Sequence, residues 1–226
     1  MSFHAVLLIK VLGIKVHLKS RGSGPGGETN FLILSNHLSY LDVFVISSVF
    51  PASFIASVDE VKGAFLLGKA TELSGGFFVE RRSRSGLRTE IEAISQILSM
   101  GTNVALFPEG TTSNGDQVLP FKTPLLSIAE KAGVEILPLC IKYRRIDGEE
   151  LTEKNRDLVY YYGDMNFFDH LFKLLPVKSI DAELMLLDNI DPQSMASRKE
   201  LARSVYDLIS GAFDSEGRVE KTVIHK

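Results

Sequence analysis

Short runs of consecutive apolar residues divide the chain into regularly spaced segments. Three such runs cover 31–35 (FLILS), 104–107 (VALF) and 136–143 (ILPLCIKY). Each has the length of one strand, and a continuous apolar run is typical of a strand that is covered on both faces. A shorter run at 77–79 follows a pair of glycines and has the same character. These four runs are predicted to be strands of one sheet.

Helical periodicity separates these runs. One predicted helix carries apolar residues on a single face and ends before Gly101; its apolar positions are Leu87, Ile91, Ile94 and Leu98. Residues 43–50 and 121–131 are also predicted to be helical, and Gly133 follows the second of them. Strands that alternate with helices imply crossover connections. We therefore predict a single α/β domain with a mostly parallel central sheet flanked by helices.

The C-terminal third is predicted to add two strands and two helices. The strands are placed at 157–162 and 182–187, and an amphipathic helix around His170 is expected either to pack on the core or to touch lipid or an acyl chain. A last helix should begin near Ser197, because Ser197 and Glu200 have the spacing of a capping box.

The first residues are unusually apolar. Residues 5–14 contain one charged side chain, Lys10, and are too short to cross a bilayer, which needs about 20 apolar residues. Lysines at its edges suit a helix in the membrane interface. We predict that 1–22 forms a short N-terminal amphipathic helix, which either contacts the membrane surface or packs on the domain formed by 23–226. The Gly-rich segment 21–30 is interpreted as a turn or linker.

Charge and cysteine content exclude some classes of protein. The formal net charge of −3 argues against a nucleic-acid-binding protein, which needs a basic surface. The single cysteine, Cys140, cannot form an intramolecular disulfide, and no Cys/His spacing resembles a zinc site. A reducing, cytoplasmic compartment is therefore expected.

The first strand is followed by a segment that could carry catalysis. His37 and Asp42 lie in the sequence NHLSYLD, where an open α/β sheet places its ligands. On one regular helix they would not share a face. If His37 precedes a helix that contains Asp42 in its first turn, the carboxylate can orient the imidazole and leave its second nitrogen free as a base. A surface turn with a helix cap would produce the same spacing.

Two further segments bring charged groups to strand ends. The run FPEGTTS places Glu109, Gly110 and Thr111 after a buried strand, where a carboxylate requires a partner. The run GGFFVERR ends in Arg81, whose guanidinium matches phosphate oxygens, and Lys122 is a further candidate cation. Ordinary solvated turns remain the alternative for both.

Taken together, these segments resemble the glycerolipid acyltransferase family of the 1-acylglycerol-3-phosphate acyltransferase (PlsC-like) type. Four blocks match in order: NHLSYLD, GGFFVERR, FPEGTTS and VEILPLCI. The resemblance implies that His37 is the general base and Asp42 its orienting partner. It further implies substrate-binding roles for Arg81, Glu109, Gly110, Thr111 and Lys122, and that Pro138 shapes an acyl tunnel or its support. One departure from the family is that Thr123-Pro124 follows Phe121-Lys122.

The resemblance also implies a reaction and its partners. An acyl group would pass from acyl-CoA or acyl carrier protein to the sn-2 hydroxyl of lysophosphatidic acid, without a cofactor or metal, at the cytoplasmic face of a membrane. A lyso-ornithine lipid or another lysophospholipid could be the acceptor instead. A non-catalytic lipid-binding module is a further alternative. A hydrolase is disfavoured because the sequence lacks a Gly-x-Ser-x-Gly elbow.

Overall fold

The computed structural model describes residues 3–22, 30–57, 77–79 and 84–215. Six α-helices lie within these ranges: α1 (Phe3–Val11), α2 (Leu41–Val49), α3 (Arg84–Ser99), α4 (Ser127–Ala132), α5 (Phe167–Leu174) and α6 (Arg198–Asp214). The strands there are β1 (Ile14–Ser20), β2 (Leu32–Ser35), β3 (Ser53–Ser57), β4 (Phe77–Val79), β5 (Val104–Leu106), β6 (Ile136–Ile146), β7 (Glu149–Glu150) and β8 (Ile180–Leu186).

All these strands belong to one twisted, mostly parallel sheet. Its order is β1-β8-β6-β2-β5-β3-β4, with β7 paired to the end of β6. β6, β2, β5, β3 and β4 run parallel to one another, whereas β8 is antiparallel to β6 and β1 is parallel to β8. The predicted fold, a mostly parallel α/β sheet flanked by helices, is confirmed.

Successive side chains of each strand point to opposite faces of the sheet, and both faces are covered by an apolar core. On β2, Ile33 faces a core shared with α1 and α2, whereas Leu32 and Leu34 face a core shared with α3, α4 and α6. The short apolar strands are continuous runs because both of their faces are covered. Loops at the C-terminal ends of β2 and β5 are consequently held on a rigid support.

The N-terminal prediction needs correction. The predicted helix over 1–22 ends at Val11, and Ile14–Ser20 is the edge strand β1, paired with β8. The prediction overlooked the alternation of apolar and polar residues that is typical of a strand: Ile14 is buried, whereas Lys15 and His17 are exposed. The helix is also not amphipathic in the predicted sense. Ala5 and Ile9 pack in the core, but apolar side chains also occupy its exposed side.

The strand predicted at 157–162 is also wrong. Residues Arg156–Leu158 form a 3₁₀ turn, and the following apolar residues Val159 and Tyr160 are buried over the sheet without joining it. Both edges of β6 are already paired, with β2 on one side and β8 on the other. The strand predicted at 182–187 is confirmed as β8, whereas the short strand β3 was not predicted.

The remaining predicted helices are present with small differences. The segment 121–131 begins as a 3₁₀ turn, Thr123–Leu126, and continues as α4 until Gly133 adopts the left-handed conformation at φ +66°. At the start of α6 the backbone N–H of Glu200 donates to the Ser197 hydroxyl at 3.2 Å, which confirms this predicted helix start.

Candidate active site

Two neighbouring strand ends support the candidate site. β2 and β5 are parallel, with Leu34 opposite Leu106, so the loops that follow them leave the same edge of the sheet. The first loop contains His37 and the second contains Glu109. This is where open α/β sheets bind their ligands.

His37 and Asp42 meet across the start of a helix, in the arrangement that the spacing predicted. α2 begins at Leu41, so Asp42 lies in its first turn and His37 in the loop before it. The distance from His37 Nδ1 to Asp42 Oδ2 is 2.9 Å. The His37 side chain is 16% exposed, and no hydrogen bond joins its Nε2 to any residue that the structure describes. The geometry therefore leaves Nε2 as the nitrogen able to accept a proton.

Asp42 is fully buried and fully hydrogen-bonded. Its Oδ2 accepts the backbone N–H groups of Leu38 at 2.7 Å and Ser39 at 3.0 Å, in addition to contacting the imidazole. Its Oδ1 accepts the hydroxyl of Tyr143 at 2.8 Å. A buried carboxylate is tolerated when its oxygens accept this many hydrogen bonds. One side chain thus shapes the loop and orients the histidine.

Tyr143 is a site residue that the sequence did not reveal. It lies on β6, 101 residues from Asp42, and its side chain is buried. Burial raises the pKa of Tyr143 well above its usual value, and the neighbouring Asp42 carboxylate raises it further. The hydroxyl therefore stays protonated and donates to Asp42.

Replacing Tyr143 by phenylalanine should lower kcat by about tenfold and leave KM nearly unchanged. A hydrogen bond to a charged group contributes about 1.5–3 kcal/mol, and 1.4 kcal/mol corresponds to a factor of ten. Without it, Asp42 is held less firmly against His37. Steady-state kinetics test this, with Tyr162→Phe as the matched control, because Tyr162 donates to Asp157 at 2.9 Å on the surface. Equal kcat values for wild type and Tyr143→Phe would contradict the positioning role.

Asn36 fixes the position at which the catalytic loop leaves β2. Its Nδ2 donates to the carbonyl of Ile141 at 2.9 Å, and its Oδ1 accepts the N–H of the same residue at 2.8 Å. The side-chain amide thus continues the pairing of β2 with β6 one residue beyond the strand. His37 follows directly, so its backbone starts from a defined position.

Glu109 joins the two loops. Its Oε1 accepts the backbone N–H of His37 and its Oε2 that of Leu119, both at 2.7 Å. Burial raises the pKa of Glu109 to about 7, although these two donors act in the opposite direction. Both oxygens are occupied by the protein's own backbone, so the geometry assigns Glu109 to holding the His37 loop. Its predicted contact with substrate stays a prediction.

Two more contacts fix the imidazole and its loop. The His37 ring stacks on Phe107, with centroids 3.8 Å apart and planes inclined by 6°. The backbone N–H of Ser113 donates to the carbonyl of His37 at 2.9 Å. The loop that begins with Glu109 therefore supports the histidine at both its ring and its backbone.

Lys122 and Gly110 lie together beside this loop. Gly110 has φ +72°, a left-handed conformation that favours glycine, and the end of the flexible Lys122 side chain lies against it. The backbone N–H of Lys122 donates to the carbonyl of Pro108 at 2.8 Å, which fixes the Lys122 backbone to the loop. Thr111 is exposed in the same loop. The structure brings these three predicted residues next to the His37 loop.

Arg81 and Pro138 are the two remaining predicted residues. Arg81 falls outside the residues that the structure describes, so its proposed contact with phosphate stays a prediction. Pro138 is buried within β6, opposite Leu34 of β2, and its carbonyl accepts the N–H of Leu187 at 3.1 Å. This position supports the sheet directly beneath the loops.

Other chemical options have little support in the described ranges. Burial raises the pKa of Cys140 to about 12, as expected for a core side chain rather than a nucleophile. Those ranges contain no cluster of three or more His, Cys, Asp or Glu side chains able to hold a metal ion. None of their helices is long and apolar enough to span a bilayer.

Comparisons with known proteins agree with this geometry. The Acyltransferase family model matches residues 13–142. A lyso-ornithine lipid O-acyltransferase of Brucella abortus is 34% identical, over 81% of this chain and 71% of the relative. A 1-acyl-sn-glycerol-3-phosphate acyltransferase of Neisseria meningitidis is 33% identical, over 82% and 70% respectively. The fold is similar to that of the Thermotoga maritima 1-acyl-sn-glycerophosphate acyltransferase PlsC, with a TM-score of 0.63 and 24% identity over 93% of this chain and 75% of that one. The chain therefore belongs to the acyltransferase family.

Proposed function

We propose that this acyltransferase moves a fatty acyl group from acyl-CoA or acyl carrier protein to the sn-2 hydroxyl of 1-acylglycerol-3-phosphate. The observation that carries the proposal is the 2.9 Å contact between His37 Nδ1 and the buried Asp42 carboxylate. That contact orients the imidazole with Nε2 available to the acceptor. A base held in this way is what transfer to an alcohol requires.

The proposed reaction is a direct displacement. His37 Nε2 takes the proton of the acceptor hydroxyl as that oxygen bonds to the thioester carbonyl carbon. The tetrahedral intermediate then expels the thiolate, which receives the proton back from the imidazolium. A thioester is already activated, so this scheme needs neither a covalent acyl-enzyme nor a cofactor. Asp42 stabilises the imidazolium that forms between the two proton transfers.

The exposed cation beside the loop favours a phosphate-bearing acceptor. Lys122 holds its ammonium group over Gly110, which directly follows Glu109 in the loop that supports His37. A phosphate monoester carries close to two negative charges at neutral pH, and a lysine can bind it as a point charge. Lyso-ornithine lipid is the second candidate because relatives named for that acceptor match over most of this chain.

An acceptor panel tests the proposal. Purified protein should acylate lysophosphatidic acid in preference to lyso-ornithine lipid and lysophosphatidylethanolamine, with products identified by mass spectrometry for both donor types. Lys122→Gln should raise KM for lysophosphatidic acid about tenfold, because one ionic contact is lost, and should hardly change KM for a zwitterionic acceptor.

The panel can also contradict the proposal. If the protein prefers lyso-ornithine lipid and Lys122→Gln has no effect, the acceptor is lyso-ornithine lipid and not lysophosphatidic acid. Absence of transfer to every lysolipid with either donor would favour a lipid-binding module. We place the working enzyme at the cytoplasmic face of a membrane, as a peripheral or monotopic protein, because its thioester donors are water-soluble and its acceptor is a lipid.

A further inference from the structure

Helix α5 is apolar on both of its sides. Its inner side buries Phe167, His170 and Leu174. Its outer side exposes Phe168 and Phe172, and Leu175 directly follows the helix with its side chain also exposed. The spacing of four and then three residues puts these outer side chains on one face. Phe172 is 67% exposed, which is a costly arrangement for a large aromatic ring in water.

α1 packs on the same core as α5 and also exposes apolar side chains. Gly13, just after α1, lies against the carbonyl of Lys178, just after α5, and its own carbonyl accepts the N–H of Ile180 at 3.1 Å. The segments that follow the two helices therefore meet where β1 and β8 begin. Of the six large apolar side chains most exposed in the described ranges, five belong to α1, to α5 or to the residue after α5, namely Leu7, Val11, Phe168, Phe172 and Leu175. The sixth, Met100, lies between α3 and β5 on the other side of the sheet.

The exposed charges near this meeting point are three lysines and one acid. Lys10, Lys173 and Lys178 are exposed there, together with Asp147, whose Oδ1 accepts the backbone N–H groups of Lys178 and Ser179 at 2.8 Å. Two further acids, Asp164 and Asp169, lie toward the start of α5. Lysines that border an apolar surface suit the anionic head groups of a bilayer. A second copy of the chain fits less well, because two-fold pairing would bring the lysines of both copies together.

The inner side of α5 contacts the catalytic loop. The Tyr40 hydroxyl and His170 Nδ1 are 3.0 Å apart, and Tyr40 lies between His37 and Asp42. Burial lowers the pKa of His170, so its neutral ring can accept the tyrosine hydroxyl. Tyr161, from the segment before α5, donates its backbone N–H to Leu38 at 3.0 Å. The exposed apolar surface and the candidate base are thus connected through one layer of side chains.

We propose that the outer side of α5, together with the exposed side of α1, is the surface by which this enzyme rests on an anionic lipid bilayer. Phe168, Phe172, Leu175, Leu7 and Val11 enter the interfacial region, and the surrounding lysines contact head groups. An acceptor lipid then reaches the catalytic loop without leaving the membrane surface. This proposal concerns binding to lipid and does not depend on the identity of the acceptor.

Vesicle flotation of the full-length protein tests the surface directly, without donor or acceptor. Vesicles contain phosphatidylcholine and phosphatidylglycerol at about three to one. Phe172→Ser/Leu175→Ser should reduce the partition coefficient about tenfold or more, since two exposed apolar side chains no longer enter the interface. Met100→Ser is the control, because it removes an even more exposed apolar side chain elsewhere, and it should bind as wild type does. Vesicles of phosphatidylcholine alone should bind wild type more weakly.

The outcomes separate this surface from its alternatives. Equal vesicle binding by wild type and Phe172→Ser/Leu175→Ser would overturn the proposal. The proposal would also be overturned if wild type sediments as a dimer and Phe172→Ser/Leu175→Ser as a monomer, while both bind vesicles equally. With an active enzyme, the double variant should lose transfer to acceptor embedded in vesicles and retain transfer to a monomeric short-chain acceptor. If no acceptor is acylated but vesicle binding follows the expected pattern, the proposed function fails and the surface stands.

Discussion

Replacing His37 by alanine is expected to reduce acyl transfer by about 10²–10⁴-fold, the range that a positioned general base contributes. The protein should remain folded. After the substitution, the buried Asp42 carboxylate keeps three of its hydrogen bonds, from the backbone of Leu38 and Ser39 and from the Tyr143 hydroxyl. Initial rates under saturating donor and acceptor, with urea unfolding of the same preparation, measure both expectations.

The chain contains a matched control for this experiment. His17 Nε2 lies 3.2 Å from Asp181 Oδ1 on the polar face of the edge strand, so it forms another His–Asp pair outside the site. His17→Ala should leave the transfer rate unchanged. Undiminished transfer by a folded His37→Ala protein would exclude His37 as the base. An equal loss in both variants would indicate an effect of replacing a histidine that is not specific to the site.

Replacing Asp42 by asparagine should be the next most damaging change, with a loss of about 10²-fold or more in kcat. Asparagine has the same shape, and its carbonyl can accept the N–H groups of Leu38 and Ser39 while its amide faces the Tyr143 hydroxyl, which can turn to accept. The loop is therefore kept. The negative charge that stabilises the imidazolium is lost, and the imidazole tautomer is no longer fixed.

Comparing Asp42→Asn with Asp42→Ala separates the loss of the negative charge from the loss of the hydrogen bonds that hold the loop. Asp42→Ala leaves the buried donors of Leu38, Ser39 and Tyr143 without their acceptor, so it should lower the free energy of unfolding by about 2–4 kcal/mol. Asp42→Asn should lower it much less. Asp181→Asn, in the His17 pair, is the control and should not change transfer. A kcat for Asp42→Asn within threefold of wild type would contradict the assigned role.

The sequence carried enough information to place each loop at a strand end but not to complete the site. Continuous apolar runs identified β2, β5 and β6, but they did not predict that β2 and β5 are parallel neighbours, which is what brings Glu109 toward His37. The spacing of His37 and Asp42 was interpretable because helix geometry allows them to meet only across a helix start. Tyr143 had no comparable signal. Its contact depends on how far β6 extends beyond β2, which local sequence does not encode.

The errors at the N-terminus and at 157–162 have one physical origin. Short apolar segments fit more than one element, and neighbours decide between them. Residues 14–20 form β1 because the outer edge of β8 is available for pairing. Val159 and Tyr160 do not form a strand because β6 is already paired on both sides. The alternation at 14–20 was visible in the sequence, but the lysines around the apolar segment favoured the helical interpretation.

The way in which Asp42 is held also limits how this site could be transplanted. A seven-residue graft of NHLSYLD onto another scaffold would bring the histidine and its carboxylate, but not the hydroxyl from β6 or the carboxylate from the β5 loop. One inserted residue before Asp42 would rotate it by about 100° around α2 and separate it from the imidazole. The smallest portable unit is therefore three adjacent strand ends with their loops, so protein engineers would have to move a section of sheet rather than a motif.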